Sequence, residues 1–284
     1  MGHRGADAAP LAGRGGFTLV ELMMAMTITA ILAVILSGIV SAVHTAHAHT
    51  NGIEDATLQA QGTLDRIEYM VAHAGTYRVG GNPSVVGIAV VTHQWAIHEL
   101  PDVLVVWSGG RSGGMAAAGE QTRLPRANEL VVYAPDPADP ARFLEFAFPN
   151  NTANVDFQAS GFRSQILSLL SSSQAEGVLL CDRVRRAQLP QFGSYAAVAA
   201  PNVRFDLGLT PSDSQVESAA PGTSAWNALP WAQGIVAGDS GLRQASVRIE
   251  LMIEPRERPL PGTESLAVAI PFFGSASHRH VYRR

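Results

Sequence analysis

The pattern of apolar and polar residues divides the chain into successive parts. Residues 1–16 are small, polar and weakly basic, and residues 22–43 carry no charged side chain. Farther along, residues 53–71 repeat apolar positions at alternating intervals of four and three, the pattern of an amphipathic helix. After Pro83 the pattern changes to short apolar runs separated by turn residues, which is typical of strands. The pattern therefore predicts a polar leader, a long helix and a strand-rich domain.

The uncharged stretch is long enough to cross a membrane. Its 22 residues, 22–43, span about 33 Å as an α-helix, and the hydrocarbon core of a bilayer is about 30 Å thick. Arg4 and Arg14 precede the stretch, and no arginine follows it closely. Because basic residues favour the cytoplasmic side, this bias predicts a cytoplasmic N-terminus and a C-terminal domain on the outer side of the membrane.

Glu21 lies directly before this stretch and helps to decide which kind of N-terminal segment it belongs to. A cleaved signal peptide would have an apolar region of about 7–15 residues followed by a small-residue cleavage site. Ala46-His47-Ala48 supplies such a site, but the apolar region is too long. A plain signal anchor fits the length and leaves Glu21 unexplained. A carboxylate inside a membrane segment costs on the order of 3 kcal/mol, so it usually has a partner.

A third interpretation accounts for all these features together. Residues 14–21, Arg-Gly-Gly-Phe-Thr-Leu-Val-Glu, closely resemble the processing site of type IV prepilins and type II secretion pseudopilins. The resemblance implies cleavage between Gly16 and Phe17 by a prepilin peptidase and N-methylation of Phe17. It also implies a Glu21 carboxylate that pairs with the terminal amine of a neighbouring subunit. Such cleavage keeps the apolar stretch as an anchor and creates a cation where the carboxylate needs one.

The resemblance and the pattern together predict the domain organisation. Residues 1–16 form the leader peptide, residues 17–75 a long N-terminal helix with its transmembrane segment at 22–43, and residues 76–284 a β-rich ectodomain. Gly75 is a plausible stop for the helix, because glycine is common just beyond helix ends. The expected fold class is α+β, with the long helix packed on a mostly antiparallel, pilin-like sheet domain.

The elements of the ectodomain follow from shorter patterns. The helix residues expected to face the sheet are Ile53, Thr57, Ala60, Leu64, Ile67 and Val71. The predicted strands are 85–91, 103–107, 129–133, 143–148, 203–209, 247–253 and 266–272. Residues 247–253 alternate most strictly, and a proline-rich loop from Pro255 to Pro261 predicts a long-looped hairpin to the last strand. A short helix is expected within 164–186, interrupted near Ser171, and an exposed loop within 210–225.

Composition excludes some classes of function. The formal charge is −4, and the 20 cationic side chains are all scattered arginines that form no basic stripe, so nucleic-acid binding is not expected. Cys181 is the only cysteine, so no internal disulfide forms. It ends the apolar run 178–181, which predicts a buried side chain; a reactive or metal-binding thiol is the alternative.

No catalytic signature is evident in the ectodomain. Residues 108–114, Ser-Gly-Gly-Arg-Ser-Gly-Gly, resemble a phosphate-binding loop but lack the Gly-Lys-Ser/Thr ending, so a flexible loop is expected. His93 and His98 flank Trp95 with Glu99 nearby, which favours a surface or packing role over acid–base chemistry.

Candidate metal ligands and loop aromatics have alternative interpretations. His44 and His47 could share a helix face and bind a metal, or form a polar collar at the membrane interface; the sequence favours the collar, and no metal or cofactor is expected. Trp226 and Trp231 lie in a loop-like region, where they could mark an interface or anchor the loop to a core.

The expected function is that of a non-enzymatic assembly subunit. The chain resembles a minor pilin of the W type or the minor pseudopilin J of type II secretion, which implies a role in initiating or capping a pilus or pseudopilus. The implied partners are a prepilin peptidase, the inner membrane, and other pilin-like subunits that contact the N-terminal helix. The alternative is a membrane-anchored periplasmic binding or adhesion module that uses the same leader.

Overall fold

The computed structural model describes residues 18–117, 119–189, 198–255 and 269–284. The helices are α1 (Leu19–Ala72), α2 (Phe162–Leu170), α3 (Asp213–Ser218) and α4 (Ser224–Asn227). The strands are β1 (Thr76–Tyr77), β2 (Val85–Val86), β3 (Ile88–Trp95), β4 (His98–Trp107), β5 (Glu120–Gln121), β6 (Leu130–Pro135), β7 (Phe143–Ala147), β8 (Glu176–Cys181), β9 (Arg186–Leu189), β10 (Val198–Pro201), β11 (Val203–Thr210), β12 (Val236–Ala237), β13 (Ser240–Ile253) and β14 (Ile270–Arg283). The long helix and the antiparallel sheets confirm the predicted α+β class.

The chain divides into two compact units, Met1–Thr50 and Asn51–Arg284. In the first unit, every described residue of α1 is exposed. The most apolar 18-residue window of α1 has a mean hydropathy of 2.4, and none of it is buried. By length and composition, α1 is therefore able to cross a membrane.

The second unit contains a five-stranded antiparallel sheet in the order β3-β4-β6-β7-β8. Residues 51–72 of α1 pack on one face of this sheet, and α2 packs on the other. Because both faces are covered, β4 is buried on both sides from Val103 to Trp107. This explains why its central residues form a continuous apolar run rather than an alternating one.

A second antiparallel sheet is built on the β13–β14 hairpin. These strands pair over fourteen residues, and β11 and β12 pair with the other edge of β13. The predicted hairpin is confirmed, and the predicted last strand, 266–272, is correct at 270–272 but ends too early, because β14 begins at Ile270 and continues to Arg283. Residues 266–268 lie outside the described residues. The inward positions of β14 include Gly274, Ala276 and His278, so its sequence has no apolar alternation.

The face of α1 that packs on the sheets differs from the predicted stripe. The buried residues in this part of the helix are Gly52, Ala56, Ala60, Thr63, Ile67, Met70 and Val71. Ile53 is 36% exposed, so it was wrongly placed on the buried face, whereas Thr57 is half-buried, as Leu64 is. Small side chains at the start of the stripe allow close approach of the helix. At its other end, Leu64 packs directly on Gly274, where an added Cβ would lie 2.7 Å from the leucine.

Two predictions for the connecting segments are correct only in part. The expected short helix within 164–186 is present as α2 and ends at the serine run, as predicted, but residues 176–181 form β8, which pairs with β7. The expected exposed loop within 210–225 contains α3 and the start of α4. Both helices begin at side-chain caps, Ser212 and Thr223, which satisfy free backbone N–H groups.

Trp226 and Trp231 anchor this segment to a small core of their own. Their exposures are 0% and 4%, and their rings pack against each other and against Tyr282 on β14. Trp231 also lies against the backbone of Gly241, where an added Cβ would meet the indole at 2.4 Å. Of the two alternatives for these tryptophans, the structure favours core anchoring.

His280 on β14 is buried next to a cation. It is 5% exposed, neither ring nitrogen has a hydrogen-bond partner among the described residues, and the Arg243 side chain lies on the paired strand. Burial, the neighbouring His278 ring and Arg243 lower the pKa of His280 to about 3. The folded state therefore keeps this imidazole neutral.

We expect this histidine to make the fold acid-sensitive. Between pH 6.5 and 3 the unfolded chain binds a proton at His280 that the folded chain does not, so stability falls as pH falls. Relative to wild type, His280→Leu should therefore gain about 2–3 kcal/mol in unfolding free energy between pH 7.5 and 4.5. Urea unfolding of both proteins at each pH measures this. The unfolding free energy of the wild type is subtracted from that of the variant at each pH. This subtraction removes the contribution of buried Asp102, whose pKa is raised to about 6 and which therefore stabilises the fold as pH falls. A pH-independent difference would contradict the prediction.

Candidate functional site

The start of α1 is closed by a reciprocal pair of side chains. The Thr18 backbone N–H and hydroxyl each donate to Glu21 Oε2 at 2.9 Å, and the Glu21 N–H donates to Thr18 Oγ1 at 3.3 Å. This is a capping box, which satisfies N–H groups that have no partner within the helix. A carboxylate in the first turn also interacts favourably with the helix dipole. Gly16 and Phe17, the predicted processing residues, lie outside the described residues.

The carboxylate of Glu21 is embedded in an apolar surface. Leu19, Val20 and Leu22 beside it are 57–75% exposed, and no other charged residue lies between residues 17 and 43. A carboxylate can accept about four hydrogen bonds. Both capping hydrogen bonds go to Oε2, and the second carboxylate oxygen, outside the capping box, has lone pairs that can accept from a further donor.

A buried charge centre joins α1 to the five-stranded sheet. Glu145 on β7, whose side chain is 4% exposed, accepts from Arg66 Nε at 2.6 Å and Arg66 Nη2 at 3.0 Å. Arg111 Nε lies 3.3 Å from the same carboxylate, and Tyr133 OH donates to it at 3.2 Å. A bidentate arginine and a tyrosine give this buried carboxylate the partners it requires. Sequence analysis missed this centre, because no local pattern links residues 66, 111 and 145.

The glycine-rich loop has a structural role in the same region. The N–H groups of Gly109 and Gly110 donate to the Glu129 carbonyl at 3.0 and 2.8 Å, so they are not directed at a phosphate. Both glycines have φ of +82°, a conformation that other residues rarely adopt. The Arg111 carbonyl accepts from Arg66 Nη2 at 2.9 Å, which attaches the loop to α1. The segment is a loop, as predicted. Its resemblance to a phosphate-binding loop has no support, because the N–H groups of Gly109 and Gly110 already bind the Glu129 carbonyl.

The cluster around Trp95 packs the β3–β4 hairpin. Trp95 Nε1 donates to buried Asp102 at 2.6 Å, and the His93 ring lies 4.9 Å from the indole. Arg163 on α2 donates to the Thr92 carbonyl at 2.9 Å. Burial and the nearby Arg163 lower the pKa of His93. These contacts confirm the packing role expected for this cluster.

Cys181 is buried as expected. Its Sγ lies 3.4 Å from Gln59 Oε1 on α1, and burial raises the pKa of the thiol. A thiol with a raised pKa is a poor nucleophile. Over the part of the chain that the structure describes, no group of three or more His, Cys, Asp or Glu residues is placed to hold a metal ion.

Comparison with known families finds a motif at the N-terminus of the chain. Residues 11–37 match the family model described as the prokaryotic N-terminal methylation motif. The matched segment contains Gly16, Phe17 and Glu21 and extends into the apolar half of α1. Together with the long apolar helix and the α+β layout, this match supports a type IV pilin-like protein. No curated protein and no solved structure matches the chain significantly.

Proposed function

We propose that this chain is a non-enzymatic minor pilin or pseudopilin. A prepilin peptidase cleaves it between Gly16 and Phe17 and methylates the new N-terminus. The mature chain then joins other pilin-like subunits through α1. The observation that carries the proposal is the methylation motif at residues 11–37, which precedes a helix able to span a membrane.

The assembly contact that we propose is an ion pair between subunits. In this pair, the Glu21 carboxylate of one subunit binds the Phe17 amine of its neighbour. The capping box supports this assignment, because it holds the carboxylate at the helix end through Oε2 and does not involve the other carboxylate oxygen. Transmembrane helices gain little hydrophobic free energy by leaving lipid, so packing and such polar contacts would set their register.

The proposed location is the inner membrane, with a cytoplasmic N-terminus and the folded unit Asn51–Arg284 on the periplasmic side or in a surface filament. The position of Arg4 and Arg14 before the anchor supports this orientation. Within the assembly we propose initiation or capping of a type IV pilus or a type II secretion pseudopilus. The large sheet domain supports a minor subunit.

Processing is the first test of this proposal. Intact-mass analysis of the membrane form should give a chain that begins at Phe17 and carries one added methyl group. Gly16→Val should leave uncut precursor in the membrane, because the peptidase has to approach the backbone closely at this position. Gly13→Val, at another leader glycine, should still be cleaved.

A different mature terminus would overturn the proposal. A chain beginning at His49, after Ala46-His47-Ala48, would mean that a signal peptidase removes the apolar stretch. The protein would then have neither an anchor nor a pilin-like helix.

A further inference from the structure

Three histidines cluster where the last turn of α1 meets β14. His73 directly follows α1, and its Nδ1 lies 2.7 Å from the Tyr69 carbonyl oxygen. His278 Nδ1 on β14 lies 3.2 Å from the Ala72 carbonyl oxygen. The rings of His278 and His280 are nearly parallel, with 8° between their planes and 5.9 Å between their centroids. The cluster therefore extends from the end of α1 to the buried ring of His280.

The buried end of this cluster faces an arginine. Arg243 on β13 is opposite His280 in the strand pair, and the two residues are 3% and 5% exposed. The guanidinium donates to the Pro211 carbonyl and to Asp213 on α3, both at 2.7 Å. Asp213 therefore pairs with the arginine, and neither ring nitrogen of His280 has a hydrogen-bond partner among the described residues. A proton on His280 would meet the positive charge of Arg243 without a carboxylate of its own.

The other end of the cluster has cationic and neutral neighbours. Ala245 on β13 is opposite His278, and the titratable residue beside α1 that acts on this ring is His73. Glu68, the last carboxylate of α1, and Arg279, the next residue of β14, are both exposed. Burial and the neighbouring His73 lower the pKa of His278. Positive charge on His278 is therefore disfavoured as long as β14 stays in place.

The end of β14 is held by few apolar contacts. Over the described ranges, β14 pairs only with β13. Its inward positions from 274 to 280 hold glycine, alanine and two histidines, so none has a large apolar side chain. Tyr282 packs in the small aromatic core, and Arg283 exchanges hydrogen bonds with Ser84, which fixes the end of the strand. A strand with so little buried apolar surface is of the kind that opens locally.

We propose that the end of β14, residues 276–283, opens from α1 and β13 when His278 and His280 gain protons. The contact is an acid-sensitive latch, closed at neutral pH and opened more often as pH falls. Opening brings both imidazole rings into water, where their positive charge is hydrated. All of these residues lie in the folded unit Asn51–Arg284, so the latch does not depend on the proposed assembly role.

The pH dependence of opening follows from proton binding. In water an imidazole has a pKa near 6.5, whereas burial, His278 and Arg243 lower the pKa of His280 to about 3 in the closed strand. Below pH 6.5 the opened state therefore binds a proton that the closed state does not, so opening becomes more frequent as pH falls. From pH 7 to pH 5, His280 alone should raise the opening equilibrium about 25-fold, and His278 adds to this.

Hydrogen exchange of the full chain in detergent tests the latch. Amide exchange is followed by mass spectrometry at pH 7 and pH 5, and protection is calculated relative to the exchange rate of an unfolded chain at the same pH. Residues 276–283 should be less protected than residues 103–107 in buried β4, and their protection should fall at least about 25-fold from pH 7 to pH 5. Equal protection of the two segments would mean that β14 opens only by global unfolding, which would overturn the proposal.

Variants of the two histidines test whether they cause the pH dependence. His280→Leu removes the buried imidazole, so the fall in protection should become about 25-fold smaller. His278→Asn can still donate to the Ala72 carbonyl but does not titrate, so it should also reduce the fall. The double variant should change less than about twofold between the two pH values. His98→Asn, at a histidine on β4 outside the cluster, should keep the wild-type dependence.

Two further outcomes would contradict the latch. Local opening of β14 that depends on pH equally in wild type and in both histidine variants would show that these imidazoles do not control it. A matching loss of pH dependence in His98→Asn would indicate a general effect of acid on the chain. If the double variant does not fold, as its tryptophan fluorescence would show, the two single variants decide, since each should depend less on pH than wild type.

Discussion

Glu145→Gln is expected to lower the free energy of unfolding of the folded unit by about 2–4 kcal/mol. The carboxylate is 4% exposed and neutralises Arg66 on α1 and Arg111 in the glycine-rich loop. Glutamine keeps the shape but removes the charge, and its amide N–H₂ is directed at groups that are themselves donors. Both arginines are about one-third exposed and can recover some hydration, which limits the loss.

Urea unfolding of the full chain in detergent, followed by tryptophan fluorescence, measures this effect. All four tryptophans lie in the folded unit, so the signal reports on that unit. Glu99→Gln is the control, because Glu99 pairs with Arg163 at 2.8 Å but is 56% exposed. An exposed pair of this kind should contribute less than about 1 kcal/mol. Equal losses in the two variants would show that burial of Glu145 does not determine its contribution.

The contrast between these two glutamates shows what sequence patterns can predict. Residues 143–148 are recognisable as a strand because they are apolar and aromatic, with Glu145 as the one charged residue. The pattern does not reveal that this glutamate faces inward, since its partner Arg66 is 79 residues away on the helix. Contacts between distant segments depend on how elements pack, and packing is not encoded in any short window.

Strand prediction succeeded where one face is apolar and failed where neighbours supply the packing. Residues 247–253 alternate strictly, so their strand was predicted. Most of β14 was missed, because its inward positions hold Gly274 and His280 rather than large apolar residues. Gly274 is small because Leu64 fills the space beside it. An apolar run such as 178–181 is also ambiguous, since periodicity alone does not separate an edge strand from a helix.

The N-terminal segment was the most predictable part, for a different physical reason. Its features are local: a basic leader, a Gly16-Phe17 junction, a glutamate four residues later and a full apolar span. The match of residues 11–37 to the methylation motif agrees with this local character. The capping role of Thr18 toward Glu21 was not predicted, although the Thr-x-x-Glu spacing is a recognisable capping signal.

Glu21→Ala should leave cleavage and membrane insertion intact and lower incorporation into the assembly by at least about tenfold. Glu21 is the only charged residue between positions 17 and 43, so its removal makes insertion of the single chain easier. The variant also loses the capping box, which affects only the first turn of α1. A simple anchor should therefore tolerate alanine, whereas an assembly subunit loses the partner for a neighbour's Phe17 amine.

The measurement is crosslinking yield and co-purification with other pilin-like subunits at equal membrane abundance. Glu54→Ala is the matched control, because Glu54 is an exposed glutamate on the same helix beyond the apolar span. Its yield should equal that of wild type.

Glu21→Gln adds a further distinction, since glutamine can still accept hydrogen bonds from Thr18 but carries no charge. If the ion pair sets assembly, Glu21→Gln should behave like alanine; if capping alone matters, it should behave like wild type. Unchanged yields in both Glu21 variants would mean that this carboxylate does not pair between subunits, and the membrane-anchored binding module would then be the better interpretation.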